Sequence, residues 1–475
     1  VTPVIEPSFA KGRRYAVMGL GRSGLATCRA LLAGGAEVLA WDDGEPARRA
    51  AESSGLALSD LHAVPLDGVE ALALSPGIPH TFPAPNPVAA RCRAAGIPIL
   101  GDVELLYRAR PDATYVGITG TNGKSTTTSL IAHVLASAGR RVQVGGNLGT
   151  PVLSFEPLGP EGVYVLEMSS YQLELAPTLR FDVAVLLNVT PDHLDRHGGM
   201  EGYAAAKRNI LRPPARGGTA VVAVDDEHTR AAFDGLGRGA GAGGAMRAVP
   251  VSAERAVPGP YVVDGVLHDG GAPVMDLREA PTLPGRHNWQ NAAAAYAACR
   301  AAGVEPAAIL AAFRTFPGLA HRQQLLGVAD GVRFVNDSKA TNADAAEKAL
   351  VCYEPIYWIL GGKAKEGGLD GLDAHMGRVR HAFLIGDATE PFAAWLGARG
   401  VPFTRSGDLA RAVPAAAAMA RRERLPGATV LLAPACASFD QFRSFEHRGE
   451  AFAELVRAEI GAAGIEDGAI GDAPR

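Results

Sequence analysis

Short apolar runs alternate with stretches whose apolar residues recur at helical spacing, and the rhythm holds along almost the whole chain. Strands that feed helices give this pattern. A first series opens with a predicted strand at 15–19, a helix at 23–33 and a strand at 37–41. A second starts with a strand at 115–119 and a helix at 127–138, continues through strands at 163–167 and 183–189, and closes with helices at 288–302 and 306–315. The third places strands at 333–336, 357–360, 382–385 and 429–432, with a helix over 409–422 that Pro414 is expected to kink or restart. Such alternation predicts an α/β chain whose mostly parallel sheets are covered on both faces. Pro317-Gly318-Leu319 reads as a linker, 235–244 as a glycine-rich surface loop, and the small, acidic tail after Gly461 as frayed. No internal repeat is visible.

Composition narrows the class. At 475 residues the chain is long enough for about three domains. It is 47% hydrophobic and 20% charged with a net charge of -4, so no global field draws it to nucleic acid or to an anionic membrane. No apolar run is long enough to span a bilayer, and residues 1–14 lack the order of a signal peptide. Cys28, Cys92, Cys299, Cys352 and Cys436 are odd in number and scattered, which suits reduced, mostly buried thiols and a cytoplasmic enzyme; the chain is expected to be a monomer.

The chemistry begins at Gly120-Thr121-Asn122-Gly123-Lys124-Ser125-Thr126, between a predicted strand and a predicted helix. A glycine-rich turn there frees backbone N–H groups for phosphate oxygens, and the helix N-terminus adds partial positive charge. Lys124 can reach the β/γ-phosphates, and Ser125 or Thr126 can ligate Mg²⁺. The usual spacing asks for glycine at Ile118, so this is a shortened loop, G-x-x-G-K-S-T. A second glycine motif, Gly19-Leu20-Gly21-Arg22-Ser23-Gly24, also follows a strand, with Asp42 at the end of the next one. Alone it would suggest a dehydrogenase. Hydride transfer needs no phosphate-loop lysine, so a nucleoside diphosphate of another kind fits better, with Ser75-Pro76-Gly77 on the same sheet edge. Glu167 ends an apolar strand, where a carboxylate can hold Mg²⁺. A capping glutamate is the plainer reading, and the apolar strand disfavours it. His193 is a candidate second ligand, although a lone histidine is usually structural. Lys207, taken alone, reads as a solvated helix lysine.

Together these segments resemble a family. Thr119–Thr126, Glu167-Met-Ser-Ser-Tyr-Gln-Leu-Glu174, Asn188-Val-Thr-Pro-Asp-His-Leu-Asp195 and Ala205-Ala-Lys207 are similar, in this order, to the Mur ligases, which build the peptide stem of bacterial cell-wall precursors. Leu283-Pro-Gly-Arg-His-Asn288, His321-Arg322, Asn336-Asp-Ser-Lys-Ala-Thr-Asn342 and Pro434-Ala-Cys-Ala-Ser-Phe-Asp-Gln-Phe442 extend the likeness over nearly the whole chain, and the last two resemble the D-glutamate-adding branch. The resemblance implies a Rossmann-like N-terminal domain for the UDP substrate (1–110), a central P-loop ATPase-like domain (111–317) and a Rossmann-like C-terminal domain for the amino acid (318–475). It implies that ATP activates the carboxylate of UDP-MurNAc-L-alanine as an acyl phosphate, which the amine of D-glutamate attacks.

Site roles follow from the resemblance. Gly120 to Thr126 cradle ATP, and Lys124, His193 and Lys207 take part in catalysis. Ser125 and Glu167 hold one Mg²⁺, His193 helps hold a second, and Lys207 carries a carbamate that makes it an anionic metal ligand. Asn288 and Asn291 face adenine, Arg322 the phosphates and Asp337 the ribose. Leu20, Arg22, Ser23 and Gly24 meet the pyrophosphate, Asp42 the uridine, and Ser75, Pro76 and Gly77 join them, with Asn147 nearer the muramoyl part. Thr341, Lys365 in preference to Lys363, Ser438 and the Phe445 backbone meet D-glutamate. Cys436 has no paired histidine in its motif and reads as packing. One departure stands out: Asp43-Gly44-Glu45 follows Asp42, where some relatives carry an arginine.

Two alternatives remain at this level. Another amide ligase with the same ATP core, either another Mur-type enzyme or a folylpolyglutamate synthase, would differ in the third block. The Asp-Asn-Pro-Arg signature of a diamino-acid ligase is absent there. A nucleotide-driven switch or motor would turn over nucleotide without an acid and an amine, and would not need the motifs at Asp337–Asn342 and Pro434–Phe442.

Overall fold

The computed structural model describes residues 3–236, 245–283, 285–365 and 367–463. From residue 237 the expected glycine-rich loop lies outside the described residues, as does the expected frayed tail from 464. Two compact units emerge: Val1–Ala280 with Arg286–Phe316, and Pro281–Gly285 with Pro317–Arg475.

The first unit carries two parallel α/β sheets. The smaller has the order Glu37–Trp41, Arg14–Met18, Val69–Leu74, Ile99–Leu100. The larger is six-stranded, in the order Met246–Val251, Gly218–Ala223, Val183–Leu186, Thr114–Thr119, Gly162–Glu167, Arg141–Gly146. In both, the chain leaves a central strand first to one side and later to the other. That reversal opens a crevice at the C-terminal strand ends, where such sheets bind ligands. A division at 110 separates these two sheets but not two cores. Val17 and Leu31 belong to the same buried cluster as Tyr115, Tyr164 and Phe181, bridged by Val103, Leu105 and Leu106 of the helix Asp102–Ala109. A three-stranded antiparallel sheet, Tyr261–Val263, Val266–Asp269 and Ala272–Asp276, completes the unit.

The helix behind the phosphate loop, Lys124–Ser137, buries Leu130, Ile131, Val134 and Leu135. Each such side chain contributes roughly 1.5–3 kcal/mol when fully buried, which anchors the loop from behind. It begins at Lys124, three residues ahead of the expected start, because the glycine turn ends there.

The second unit is a six-stranded sheet in the order Gln324–Ala329, Val332–Asn336, Thr429–Leu432, Ile356–Gly361, Val379–Ile385, Phe403–Gly407. Its first pair is antiparallel and the rest are parallel. Contrary to expectation, Pro414 does not restart the helix, which runs unbroken as Leu409–Glu423. Pro414 lies in the second turn, where the missing N–H removes one hydrogen bond. The buried face of Leu409, Ala412, Val413, Ala416, Ala417 and Ala420 outweighs that loss.

Candidate active site

Strand register builds the phosphate loop. Ile118 pairs with Glu167 and Thr119 with Leu186, so the loop rises between the ends of two neighbouring strands. Asn188 clamps it, accepting the Asn122 N–H on Oδ1 at 2.8 Å while its backbone carbonyl accepts the Thr121 N–H at 2.8 Å. Gly123 has φ 83° and a Cβ there would collide with the Asn291 side chain, so both its conformation and its neighbour demand glycine. Lys124 folds back over the loop, its Nζ donating to the carbonyls of Gly120 (2.9 Å) and Thr121 (2.8 Å). Ser125 and Thr126 sit half-buried in the first helical turn.

Glu167 stands beside this loop and is buried. Its Oε1 accepts the Asn147 amide at 2.7 Å, whereas Oε2 is buried without a hydrogen-bond partner. An unpartnered carboxylate oxygen is costly unless a cation or donor meets it, so the group fits a divalent metal. His193 is exposed, with its Nε2 3.4 Å from Asp192 Oδ2 and its ring 5.3 Å from that of Tyr171. Its φ of 51° is uncommon for a residue with a side chain. Among the described residues no three His, Cys, Asp or Glu side chains gather as a metal site. A metal here would draw on the mixed set Ser125, Glu167, His193 and Lys207.

Lys207 is not solvated. The helix Met200–Arg208 buries it to 1% exposure, with Nζ donating to the Gly120 carbonyl at 2.7 Å and lying 4.7 Å over the Tyr203 ring. Two lysines therefore share one carbonyl. Burial pushes the Lys207 ammonium down to about 7, and the charge of Lys124 acts the same way against the weaker pull of Asp192 and Glu167.

The smaller sheet forms a second cradle. Gly24 packs so closely on Gly19 that a Cβ would collide with the Gly19 carbonyl, which Ser75 Oγ also approaches at 3.1 Å. Asp42 is committed to the backbone, accepting the N–H of Leu20 at 2.6 Å and of Gly44 at 2.7 Å. It shapes the crevice from which the next residues reach out. At the departure noted after Asp42, Arg48 lies over Trp41 at 4.8 Å, and Asp43 meets His62 Nε2 at 2.7 Å. Arg22 donates to the Gly149 carbonyl at 2.6 Å, two residues after Asn147, and Ser23 is half-buried at the start of its helix.

In the second unit the remaining motifs meet at the C-terminal strand ends. Asp337 is buried, its Oδ1 accepting the Gln323 N–H at 3.1 Å. Burial pushes its carboxyl up to about 7, against the lowering effect of that bond and of Arg322. Lys363 is tied through its backbone to Ala437 at 2.9 and 3.1 Å. Ser438 is buried and Phe445 opens the helix Phe445–Ala463, where free N–H groups favour an anion. Burial drives the Cys436 thiol up to about 12, opposed by Arg448 and Lys365, so it is inert as a nucleophile and Lys365 is near it.

Comparison with known proteins identifies the family. The Mur ligase middle domain matches residues 118–239. The UDP-N-acetylmuramoylalanine–D-glutamate ligase of Paramagnetospirillum magneticum is 56% identical over 96% of this chain and 98% of its own. That of Phenylobacterium zucineum is 49% identical over 96% and 98%. The chain belongs to the D-glutamate-adding branch of the Mur ligase family. Among solved structures, the UDP-N-acetylmuramate–alanine ligase MurC of Thermotoga maritima shares the fold with a TM-score of 0.58 at 17% identity, over 94% of this chain and 99% of that one. The MurF ligase of the same organism, in complex with ADP, gives a TM-score of 0.54 at 18% identity over 97% and 98%.

For this Mur ligase the first unit brings together Gly120–Thr126, Asn147, Glu167, Lys207 and Asn291 around one loop. Asn291 lies against Gly123 and donates to Asn288 Oδ1 at 3.0 Å, so this pair abuts the phosphate loop itself. Leu20, Arg22, Ser23, Gly24, Asp42 and Ser75–Gly77 form the second cradle. Arg322, Asp337, Thr341, Lys365, Ser438 and Phe445 belong to the other unit. Sequence reasoning overlooked Tyr203, whose hydroxyl meets Thr121 Oγ1 at 3.1 Å, and Gln290, which meets Asn188 at 3.1 Å. It also overlooked Arg448, 1% exposed, which donates to Ser338 Oγ (3.0 Å), Ser338 O (2.9 Å) and Cys436 O (3.0 Å), tying the two amino-acid motifs together. Gln290 lies between two residues already singled out. A lone arginine inside a helix carries no such signal.

Proposed function

We propose that this protein joins D-glutamate to UDP-N-acetylmuramoyl-L-alanine at the expense of ATP in peptidoglycan precursor synthesis, acting as a cytoplasmic monomer of three domains divided near 110 and 317, the first two sharing one buried core. The observation that carries the reading is the arrangement at the phosphate loop. An unpartnered buried carboxylate oxygen on Glu167 and two lysines on one carbonyl surround a nucleotide cradle, in a chain 56% identical to a D-glutamate ligase.

The first step joins two anions: a carboxylate oxygen of the UDP substrate attacks the γ-phosphorus and ADP leaves. Lys124 leaves its loop carbonyls for the phosphates and offsets the charge on the transferred group. The glycine cradle at Gly19–Gly24 and Ser75–Gly77 holds the diphosphate handle and so presents the carboxylate. Ser125, Glu167, His193 and Lys207 would hold Mg²⁺, in two ions, and bound Mg²⁺ supplies Lewis-acid stabilisation of the phosphoryl oxygens. Lys207 is suited to carbamylation because its lowered pKa leaves a neutral fraction near neutrality. The free amine adds to CO₂, one N–C bond forms and one proton is released, and the product is an anion where a buried cation stood. In the second step the D-glutamate nitrogen attacks the acyl carbon, phosphate departs and the nitrogen loses a proton. Two carboxylates on the amino acid call for two donor clusters. Lys365 with Thr341, and Ser438 with the Phe445 N–H, supply them. Asn288 and Asn291, with Arg322 and Asp337, complete the nucleotide contacts.

Phosphate release with ATP, Mg²⁺ and UDP-MurNAc-L-alanine, measured against a panel of amino acids, tests the reading. Release should depend on D-glutamate. Dependence on a different amine overturns the specificity, and release without any amine overturns the ligase assignment.

A further inference from the structure

The segment that follows Ser75–Gly77 is fastened to the crest of the larger sheet at three points. Arg196 donates Nη1 to the Gly77 carbonyl at 2.8 Å and Nη2 to that of Pro76 at 3.5 Å, while its guanidinium lies 4.5 Å over the Tyr171 ring. His80 Nε2 is 3.2 Å from Glu174 Oε2, and the other oxygen of Glu174 is 3.1 Å from Nδ1 of the buried His197. His197 Nε2 in turn meets Ser170 Oγ at 2.9 Å, three residues beyond Glu167. Finally, the Phe82 ring covers Gly198, where a Cβ would lie 3.1 Å from it.

These contacts end on a single turn, Leu194–His197, bracketed by His193 at φ 51° and Gly198 at φ 69°. The left-handed backbone costs His193 energy while Gly198 adopts it freely, so the turn is constrained at its His193 end. Where His197 is held therefore fixes the direction of His193. Burial alone would raise the Glu174 carboxyl, but the bonds from His197 and His80 more than reverse this and hold it at about 2. Glu174 is therefore an ion at any working pH, and its contacts are charge-assisted whenever either imidazole is protonated. Arg93 closes the row, donating to the His80 carbonyl at 2.6 Å. A cavity of about 340 Å³ beside it is lined by His80, Arg93, Ile97, Ile99, Glu174 and Leu175. The polar atoms of His80 and Glu174 are spent on one another, on His197 and on Arg93, which makes the cavity the back of the seam.

We propose that His80, Glu174, His197 and Arg196 form a positioning strap that holds the UDP-substrate loop Ser75–Gly77 in register with the His193 loop, so that the substrate carboxylate arrives at the phosphate loop aligned for phosphoryl transfer. The strap rests on the function proposed above. These are positioning residues: they act through the two loops they join. A purely structural seam would change stability and leave the kinetics of the folded fraction alone.

The test uses the full chain with His80→Ala, Glu174→Ala and Glu174→Gln. For His80→Ala and Glu174→Ala, KM for UDP-MurNAc-L-alanine should rise, or kcat fall, by about tenfold or more, since small misplacements of reacting groups are that costly. KM for ATP should stay within about twofold of wild type, because the Lys124 loop is not part of the strap. Glu174→Gln, whose amide can still bond both imidazoles, should recover most of the loss. Calorimetric binding of UDP-MurNAc-L-alanine should weaken in parallel with KM. Unchanged kinetics with a lowered Tm, or equal rises in KM for both substrates, overturn the strap. Should Glu174→Ala fail to fold, His80→Ala, on a loop, decides alone. A wild-type enzyme without D-glutamate-dependent turnover removes the functional reading and the strap with it, whereas an active wild type with unaltered variants removes the strap only.

Discussion

At Lys207, burial and a second lysine act in the same direction. Both disfavour the ammonium, whose pKa falls from 10.5 to about 7. Between these values the unfolded chain binds more protons than the folded one, so this group's destabilising effect is full below about pH 7 and fades as pH rises toward 10.5. Carbamylation would remove it by trading the cation for an anion. Lys207→Ala should accordingly lose at least about 10²-fold in D-glutamate-dependent phosphate release, and a short added carboxylate should restore part of it by occupying the vacated space. A variant that no carboxylate rescues contradicts the carbamate role. Lys124→Ala should lose about 10³-fold or more in phosphate release at unchanged Tm, and near-normal turnover would remove Lys124 from the chemistry.

Among the elements, the helix Asp102–Ala109 shows how the first unit is joined. Its Glu104 is buried and accepts from Arg108 (2.7 Å), Thr178 N (3.0 Å) and Leu179 N (3.1 Å), so this carboxylate is fully answered. Asp102, also buried, accepts from Val103 N at 2.9 Å, and burial raises its carboxyl to about 6 against the lowering effect of backbone N–H donors. Here the folded state binds more protons than the unfolded one between 3.8 and about 6, so stability falls as pH rises through that window. Asp102→Asn should therefore stabilise the protein by about 1–3 kcal/mol near pH 8 and by much less near pH 4, measured as the difference in thermal midpoints. An equal shift at both pH values would contradict it. Elements with strong periodicity and glycine punctuation, such as Arg22–Ala33 and Lys124–Ser137, were legible in the sequence. The strands of the small antiparallel sheet are too short to show a period, and the edge strand Gln324–Ala329, mostly half-buried, is absent from the expected strands. Pro414 misleads because local propensity speaks before tertiary burial does.

For the whole molecule, the site residues divide between two units. The phosphate loop, Glu167, Lys207 and the glycine cradle lie in the first, and the residues assigned to D-glutamate in the second. The motifs at Gly19, Gly120, Glu167 and Asp337 were visible in the sequence because each stands at the end of a strand. The burial of Lys207 on Gly120 and the Arg448 bridge stayed hidden, because both depend on contacts between residues remote in sequence. The division predicts separable half-reactions. Lys365→Ala should still scramble a heavy-oxygen label within ATP in the presence of UDP-MurNAc-L-alanine, while amide formation falls by about 10²-fold. Equal loss of both would mean that Lys365 serves the nucleotide. The central claim is that the phosphate loop activates a carboxylate for amide formation. Its most direct test is the fate of that carboxylate's oxygen. With heavy oxygen in the alanyl carboxylate of UDP-MurNAc-L-alanine, each amide formed should deliver one labelled oxygen to the released phosphate. Amide formed with unlabelled phosphate would contradict the acyl-phosphate route, and labelled phosphate without D-glutamate in the product would contradict the ligase.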